Sequence, residues 1–486
     1  MTRKPMVKTI MMLSAAALSI AATASTQVAA QVAAQVAPQA APAQFKDFRT
    51  FMQEVQSAPA TSYVGAPGSN VRDAAALEEM RAHILRMYSG MPVVNSFEHD
   101  GQTFDCVAVM AQPSVRLRGM TQLASPPSTL IGPNRNLSDA TRPQIPPLSF
   151  DAHGNLKGCT SSLVPIRRVT LEETSRFETL ADFFQKGPKA PNPAAPGQAT
   201  PGQATPPGGN PSPGKDQSPG SEDPCSPAPG GDCHAHAYGY QYVTNYGVSS
   251  TFEVWNPSVG PDQVFSLSQL WILNPNGAKG MQSVESGWQV FPGKYNTSNA
   301  VLFIFATPDG YQTGCYNHDC ANFVQVNNSV YLGGGFTSYS TIVNGTKHAE
   351  TMRLSWWLYQ GNWWLGYGST WVGYYPGSLY NVGQGTSLQT GSSLIEFGGE
   401  TVGGIELVWA FPPRIVPTWP QMGNGYFSSS PSLAAQQNGI YYLTSTGGSS
   451  AWSSLTGSSD TLTSCYTSAV SGTTLIFGGS GGVQAC

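Results

Sequence analysis

Two short segments place glutamates inside apolar, aromatic patterns: SVESGWQV at 283–290, carrying Glu285, and LIEFGGETV at 394–402, carrying Glu396 and Glu400. Glu406, in GIELVWAF, stands in a similar setting. Charged residues make up 11% of the chain, against about 25% in ordinary soluble domains, and only 11 carboxylates lie from Asp232 onward. A carboxylate set in such a pattern is costly to bury unless it is paired, hydrogen-bonded or protonated. Two carboxyls facing one cleft can run hydrolysis by sharing a proton: one activates water while the other donates to the substrate oxygen or leaving group. Glu396 and Glu400 would share one face of a regular strand. Gly398 and Gly399 between them mark a bulge or a place where another backbone passes close. Satisfied structural carboxylates are the commoner role for acids of this kind and stand as the alternative.

Other chemistries find less support. His234-Ala235-His236 beside Cys233 invites a metal, but no third ligand set or HExxH helix accompanies it, so a surface segment next to a disulfide is expected and no metal. His318, between Cys315 and Cys320, reads as a turn residue, and His348 alone makes a nucleophilic triad hard to assemble. The GxSxG match at Gly478–Gly482 sits in a Gly/Ser-rich tail without the strand-turn-helix context of a nucleophile elbow.

The elements that would position the acids change along the chain. Arg3, Lys4 and Lys8 precede an apolar run from Thr9 to Ala22, followed by small residues, which reads as a signal peptide over 1–24. A low-complexity Ala/Gln/Val tract fills 25–44. Residues 45–187 form a small α+β unit: apolar residues at 77, 80, 84, 87 and 88 recur near the helical period, and short strands are expected at 93–97, 104–110 and 163–170. Residues 188–231 are Pro/Gly-rich and too poor in large apolar side chains to offset ordering entropy, hence a linker. From 232 to 486 the chain reads as all-β, with aromatic strands punctuated by turn residues at a spacing that suits an antiparallel β-sandwich. Trp and Tyr are denser there than a core alone needs, and some are expected to line a groove for an extended ligand.

Eight cysteines in an exported chain point to disulfides. Their order suggests local pairs, Cys106 with Cys159, Cys225 with Cys233, Cys315 with Cys320 and Cys465 with Cys486, although other connectivities stay open. A formal charge of -4 without a Lys/Arg cluster in the β region argues against nucleic acid. No second long apolar run follows the signal, so no membrane association is expected after its removal.

At these motifs the sequence resembles the neprosin family of glutamic, proline-preferring endopeptidases. FSLSQLWIL at 265–273, SVESGWQVFPGKY at 283–295, TGCYNHDCANFVQVNN at 313–328, GNWWLGYG at 361–368, VGYYPGSLY at 372–380, IEFGGETV at 395–402 and QMGNGYF at 421–427 carry the resemblance in order. SFEHDGQTFDCVAVMAQPSV at 96–115 and CTSSLVPIRR at 159–168 resemble that family's activation domain and support a bridge between Cys106 and Cys159. The resemblance implies an exported zymogen, extracellular or periplasmic in transit, whose prodomain covers the cleft as an intramolecular inhibitor, with proline-rich peptides or proteins as substrates and no cofactor. It implies Glu285 as one catalytic acid and Glu400 as the second, with Glu396 as its rival; the glycines flanking Glu400 are expected to admit substrate backbone. Trp288, Trp364 and Tyr374 are the expected substrate-binding aromatics. Phe397 stands where the family commonly has Trp. Two rival readings use the same ingredients: a glycoside hydrolase with paired acids, and a non-catalytic carbohydrate- or peptide-binding sandwich.

Overall fold

In the computed structural model, helices α1 (Phe48–Ser57) and α2 (Ala74–Tyr88) open the described chain. Each starts on an aspartate: Asp47 accepts from the Thr50 N–H and Asp73 from the Ala76 N–H, and such caps are worth about 1 kcal/mol each. The structure describes residues 45–128, 149–186, 234–381, 386–408, 414–444, 449–451, 457–460 and 462–483. The expected signal peptide, the low-complexity tract and the 188–231 linker lie outside the described residues, as do Cys225, Cys233, Cys486 and the side chain of Glu406.

Helix α2 buries Leu77, Met80, Ile84, Met87 and Tyr88, the positions of its helical period. Strands β1 (Val93–His99), β2 (Gln102–Ala108) and β3 (Leu163–Arg167) pair antiparallel in that order. Short helices α3 (Pro113–Arg116), α4 (Leu171–Thr174) and α5 (Leu180–Phe184) complete this α+β part. Cys106 and Cys159 are bridged, tying β2 to the approach to β3.

From His234 the chain is built of strands: β4 (His234–Asn245), β5 (Gly247–Glu253), β6 (Phe265–Asn274), β7 (Gln282–Val290), and, after the single turn α6 (Pro292–Tyr295), β8 (Val301–Thr307). There follow β9 (Cys315–Tyr316), β10 (Val324–Gln325), β11 (Thr341–Val343), β12 (Thr346–His348), β13 (Thr351–Tyr359), β14 (Asn362–Tyr367), β15 (Thr370–Pro376) and β16 (Ser392–Val402). The last are β17 (Gly404–Val408), β18 (Arg414–Trp419), β19 (Ala435–Leu443), β20 (Ser449–Ala451), β21 (Gly457–Asp460), β22 (Thr467–Ser471), β23 (Thr474–Gly478) and β24 (Gly482–Val483). Among the described residues, one large sheet runs β21-β4-β16-β6-β7-β8-β9 and the other β10-β15-β14-β13-β5-β19-β23-β22, all pairs antiparallel.

The two sheets pack face to face, as the alternation of side chains along a strand requires. Leu270, Ile272, Val284, Trp288, Ile304 and Phe397 of the first sheet meet Phe252, Leu354, Trp356, Trp363 and Tyr375 of the second. Tandem tryptophans show the same period: Trp356 and Trp363 enter this core, whereas their neighbours Trp357 and Trp364, paired across β13 and β14, take the opposite face. A second apolar cluster joins Met80 and Ile84 of α2 to Phe265, Leu267, Phe303 and Phe305. The α+β part therefore covers the outer face of the first sheet. That face carries the candidate acids.

Candidate active site

Register fixes which side chains share this face. Glu400 on β16 stands opposite His236 on β4 and Leu267 on β6; four residues earlier, Glu396 stands opposite Tyr240 and Trp271. Trp271 in turn pairs with Glu285 on β7, which pairs with Phe305 on β8. The strand period thus brings Glu285, Glu396, Glu400, Gln269 and Trp271 to one side, with His234 and His236 at the same level.

Lys186, two residues beyond α5, meets both Glu285 and Glu400. Its Nζ lies 2.6 Å from Glu285 Oε2 and 2.6 Å from Glu400 Oε2, with all three side chains buried. Glu285 Oε1 accepts from the Ser283 hydroxyl at 2.7 Å and the Tyr311 hydroxyl at 2.8 Å. Glu400 accepts from Gln269 Nε2 at 2.8 Å, and His234 Nδ1 lies 2.6 Å from its Oε1. Tyr311 reaches the site from a backbone with φ of 59°, a region that residues with a Cβ rarely occupy and that recurs at functional positions.

The electrostatics follow from this crowding. Burial alone would raise the Glu400 carboxyl, but Lys186, the His234 hydrogen bond and the charge of His236 outweigh it and hold the group well below the usual carboxylate range. Burial also works against the Lys186 ammonium, yet Glu285 and Glu400 raise its pKa above the ordinary lysine value. Burial and then the nearby Glu285 push Glu396 up to about 8, against the pull of Lys186. His236 is lowered to about 4, chiefly by burial.

Several expectations meet a different geometry. Glu285 and Glu400 are brought onto one cation, whereas Glu396 lies across Trp271 from Glu285 and does not share that contact. The glycines beside Glu400 do not open space for substrate. A Cβ on Gly398 would strike Ala237 O and Tyr238, and one on Gly399 would lie 2.6 Å from Met422 Sδ, so both make room for neighbouring strands and the core. Trp288 is not a groove residue: it lies in the core between the sheets, its Nε1 donating to Glu253 O at 2.9 Å. Trp364 and Tyr374 are also away from the acids, buried on the outer face of the second sheet beneath residues 115–124. Alternation explains the error at Trp288, since residues 285, 287 and 289 point one way and 288 the other.

The His234-Ala235-His236 segment is not a surface flank. It begins β4, and both imidazoles turn toward Glu400, His236 Nε2 lying 3.7 Å from Oε1. His234, His236 and Glu400 offer ligand atoms within 4.8 Å of one another, a grouping able to hold a metal. In this state the Lys186 ammonium on Glu400 opposes a second cation there. His318 does sit in a turn, in the loop closed by the Cys315–Cys320 bridge. Cys465 is disulfide-bonded; its expected partner, Cys486, lies outside the described residues.

Lys186, Gln269 and Tyr311 were not singled out from sequence. Gln269 carried a signal: a polar amide inside the apolar strand FSLSQLWIL, in the same alternation as Trp271. Lys186 carried none, since a lysine at the start of a polar linker reads as solvated.

Solved structures resemble the chain distantly. A scytalido-glutamic peptidase crystallised with a peptide-based transition-state analog shares 13% identity with TM-score 0.27, covering 51% of this chain and 97% of that one. SCP-B, a member of the Eqolisin family of peptidases in complex with the tripeptide Ala-Ile-His, shares 13% identity with TM-score 0.24, covering 51% and 96%. The Neprosin family model matches residues 262–480, the stretch that holds Glu285, Gln269 and Glu400, and supports a peptidase of the glutamic type. The chain thus carries a match to the Neprosin family over residues 262–480.

Proposed function

We propose that this chain is an exported glutamic endopeptidase made as a zymogen, with Glu285 and Glu400 as its catalytic pair and a preference for peptide bonds next to proline. The observation that carries the reading is the single buried ammonium of Lys186 in contact with both carboxylates. A cation in that place occupies the position a nucleophilic water would need, so the same contact blocks catalysis. Export is in keeping with the bridges Cys106–Cys159 and Cys315–Cys320. No helix among the described residues is long and apolar enough to cross a membrane.

Once the linker is cut and residues 45–187 withdraw, water replaces the ammonium. Two carboxyls at this distance do not both stay ionised without a cation, so the pair holds one proton. Glu400 keeps donors from His234 and Gln269 that favour its ionised form, which makes it the base that deprotonates water. Glu285 then carries the proton, polarises the scissile carbonyl and passes the proton to the leaving amine. The Tyr311 hydroxyl, already donating beside Glu285, stands where it can stabilise the developing oxyanion. A shared proton implies an acidic optimum. Proline preference comes from the family resemblance.

The test is cleavage of a proline-containing quenched peptide library from pH 2 to 8 after acid incubation. Glu285→Gln and Glu400→Gln are expected to lose activity by about 1000-fold or more while staying folded, and Glu396→Gln to keep most of it. Equal cutting by all three variants and wild type, or sugar release from a polysaccharide panel with peptides untouched, would overturn the reading.

A further inference from the structure

On the outer face of the second sheet, far from any contact with the two acids, the structure carries an aromatic surface with an occupant already seated on it. Trp357, Trp364 and Tyr374 line up across β13, β14 and β15, and Trp371 and Tyr359 extend the row. Ring centroids lie 4.7 Å apart for Trp364 and Tyr374, 6.3 Å for Trp364 and Trp371, and 6.3 Å for Trp357 and Trp371. Lying over them is Leu123-Ala124-Ser125-Pro126-Pro127, a segment with no helix, strand or turn of its own.

The contacts are those by which a proline-rich chain is recognised. Trp371 Nε1 donates to the Pro127 carbonyl at 3.0 Å, and the Tyr374 hydroxyl accepts from the Ala124 N–H at 3.1 Å. Pro127 is buried, whereas Ser125 and Pro126 are exposed. Aromatic rings that supply flat apolar walls, with an indole N–H aimed at a carbonyl before or within a proline run, select an extended chain because proline lacks a donor and is already stiff. A second indole donor waits in the same row: Trp364 Nε1 is buried and has no hydrogen-bond partner among the described residues. A buried donor left unpaired is costly in a finished core and is what a site with a different occupant would leave.

We infer that this face is a second, non-catalytic binding site for extended proline-rich peptide, which residues 123–127 occupy by mimicry until the N-terminal part leaves. Its purpose, anchoring a multi-proline substrate chain while the acids cut elsewhere along it, rests on the peptidase reading; the binding itself does not. The site lies on the sheet opposite the one that carries Glu285 and Glu400, so only long substrates can use both.

The test uses the full-length chain with residues 121–128 replaced by alternating Gly and Ser, which uncovers the face without requiring processing. The probe is a fluorescein-labelled peptide Thr-Gln-Leu-Ala-Ser-Pro-Pro-Ser, read by anisotropy, beside the same peptide with both prolines changed to Ala and an unrelated peptide of Pro-Pro repeats. Expected are saturable binding of both proline peptides, at least about 10-fold weaker binding of the alanine form, and loss of the proline preference in Trp371→Ala made in the same background. Should that variant fail to fold, Trp371→Phe removes the donor while keeping an aromatic ring in place, and should weaken binding several-fold. Equal binding of the proline and alanine peptides, binding unchanged by both Trp371 variants, or no binding at all would each overturn the site. The same chains assayed on a short quenched peptide after acid incubation and processing separate the two readings: binding without turnover sinks the peptidase, and turnover without binding sinks the second site.

Discussion

A buried ammonium needs counter-charge in contact, and Lys186 has it in Glu285 and Glu400. Replacing it by Met leaves two carboxylates facing each other out of solvent. Breaking a buried ion pair costs about 3–5 kcal/mol, so the uncut Lys186→Met chain should lose about 3 kcal/mol in urea denaturation at pH 7. Unchanged stability would mean that the contact is not what holds the acids. The pH window follows from the directions of the shifts. Glu400 is depressed, so its contribution is present above the ordinary glutamate value and lost as pH falls through its own lower value. Lys186 is raised, so its contribution is complete below the ordinary lysine value and lost only as pH climbs past its higher one. The clamp therefore spans neutral pH and fails on the acid side. His236 adds a milder slope: with a value lowered from 6.5 to about 4, its contribution is complete above 6.5 and is lost progressively down to about 4. In His236→Gln the urea midpoint should differ less between pH 7 and pH 5 than in wild type; an identical difference would remove His236 from the account.

At the scale of elements, the acids depend on strands that touch closely. Gly287 sits between Glu285 and Gln289 on β7, and a Cβ there would run into the Ser268 carbonyl and the Gln269 backbone of β6. Backbone cannot yield as a side chain end can. Gly287→Ala should cost at least about 2 kcal/mol and lower activity by more than the stability loss explains, because it displaces the strand that carries Glu285; a variant as stable and active as wild type would show that the register is looser than drawn. Helix α2 was legible on its buried face, since its five apolar positions follow one period, whereas the Asp73 cap came from the structure. The expected strands at 93–97, 104–110 and 163–170 appear as β1, β2 and β3 with ends shifted by a few residues. Such ends are set by partner strands rather than by the residues themselves.

Across the whole molecule, the N-terminal part and the sandwich share a buried charge network. Arg167 of β3 holds Glu173 with 2.7 and 3.0 Å contacts and reaches Asp319 at 3.0 Å; Lys294 of α6 meets the other oxygen of Asp319 at 2.7 Å. His83 of α2 lies 2.8 Å from the Asp319 carbonyl, and the Gln112 side chain pairs with the Gln325 backbone at 2.8 and 2.9 Å. Burial would raise the Asp319 carboxyl, but Lys294 and Arg167 hold it below the usual range, so its contribution too is present at neutral pH and lost in strong acid. After the linker is cut, the two parts should stay together on gel filtration at pH 7 and separate below about pH 4, the ordinary carboxylate range. Asp319→Asn should separate them already near neutrality. Co-elution of that variant across the same range would show that the network does not hold the two parts.

The chain determined by itself whatever is periodic or local: the amphipathic helix, the change to all-β after residue 232, the alternation that puts Glu396 and Glu400 on one face, and the scarcity of acids that made Glu285 and Glu400 candidates. Family resemblance, not spacing, joined those two across 115 residues of sequence. Tertiary structure alone decided that Lys186, 214 residues from Glu400, would sit between them, that His234 and His236 would turn toward the site, and which tryptophans enter the core. The reason is physical. A strand's period says which side chains share a face but not which face is covered or by what, and a lone lysine's charge becomes meaningful only when folding removes the water around it.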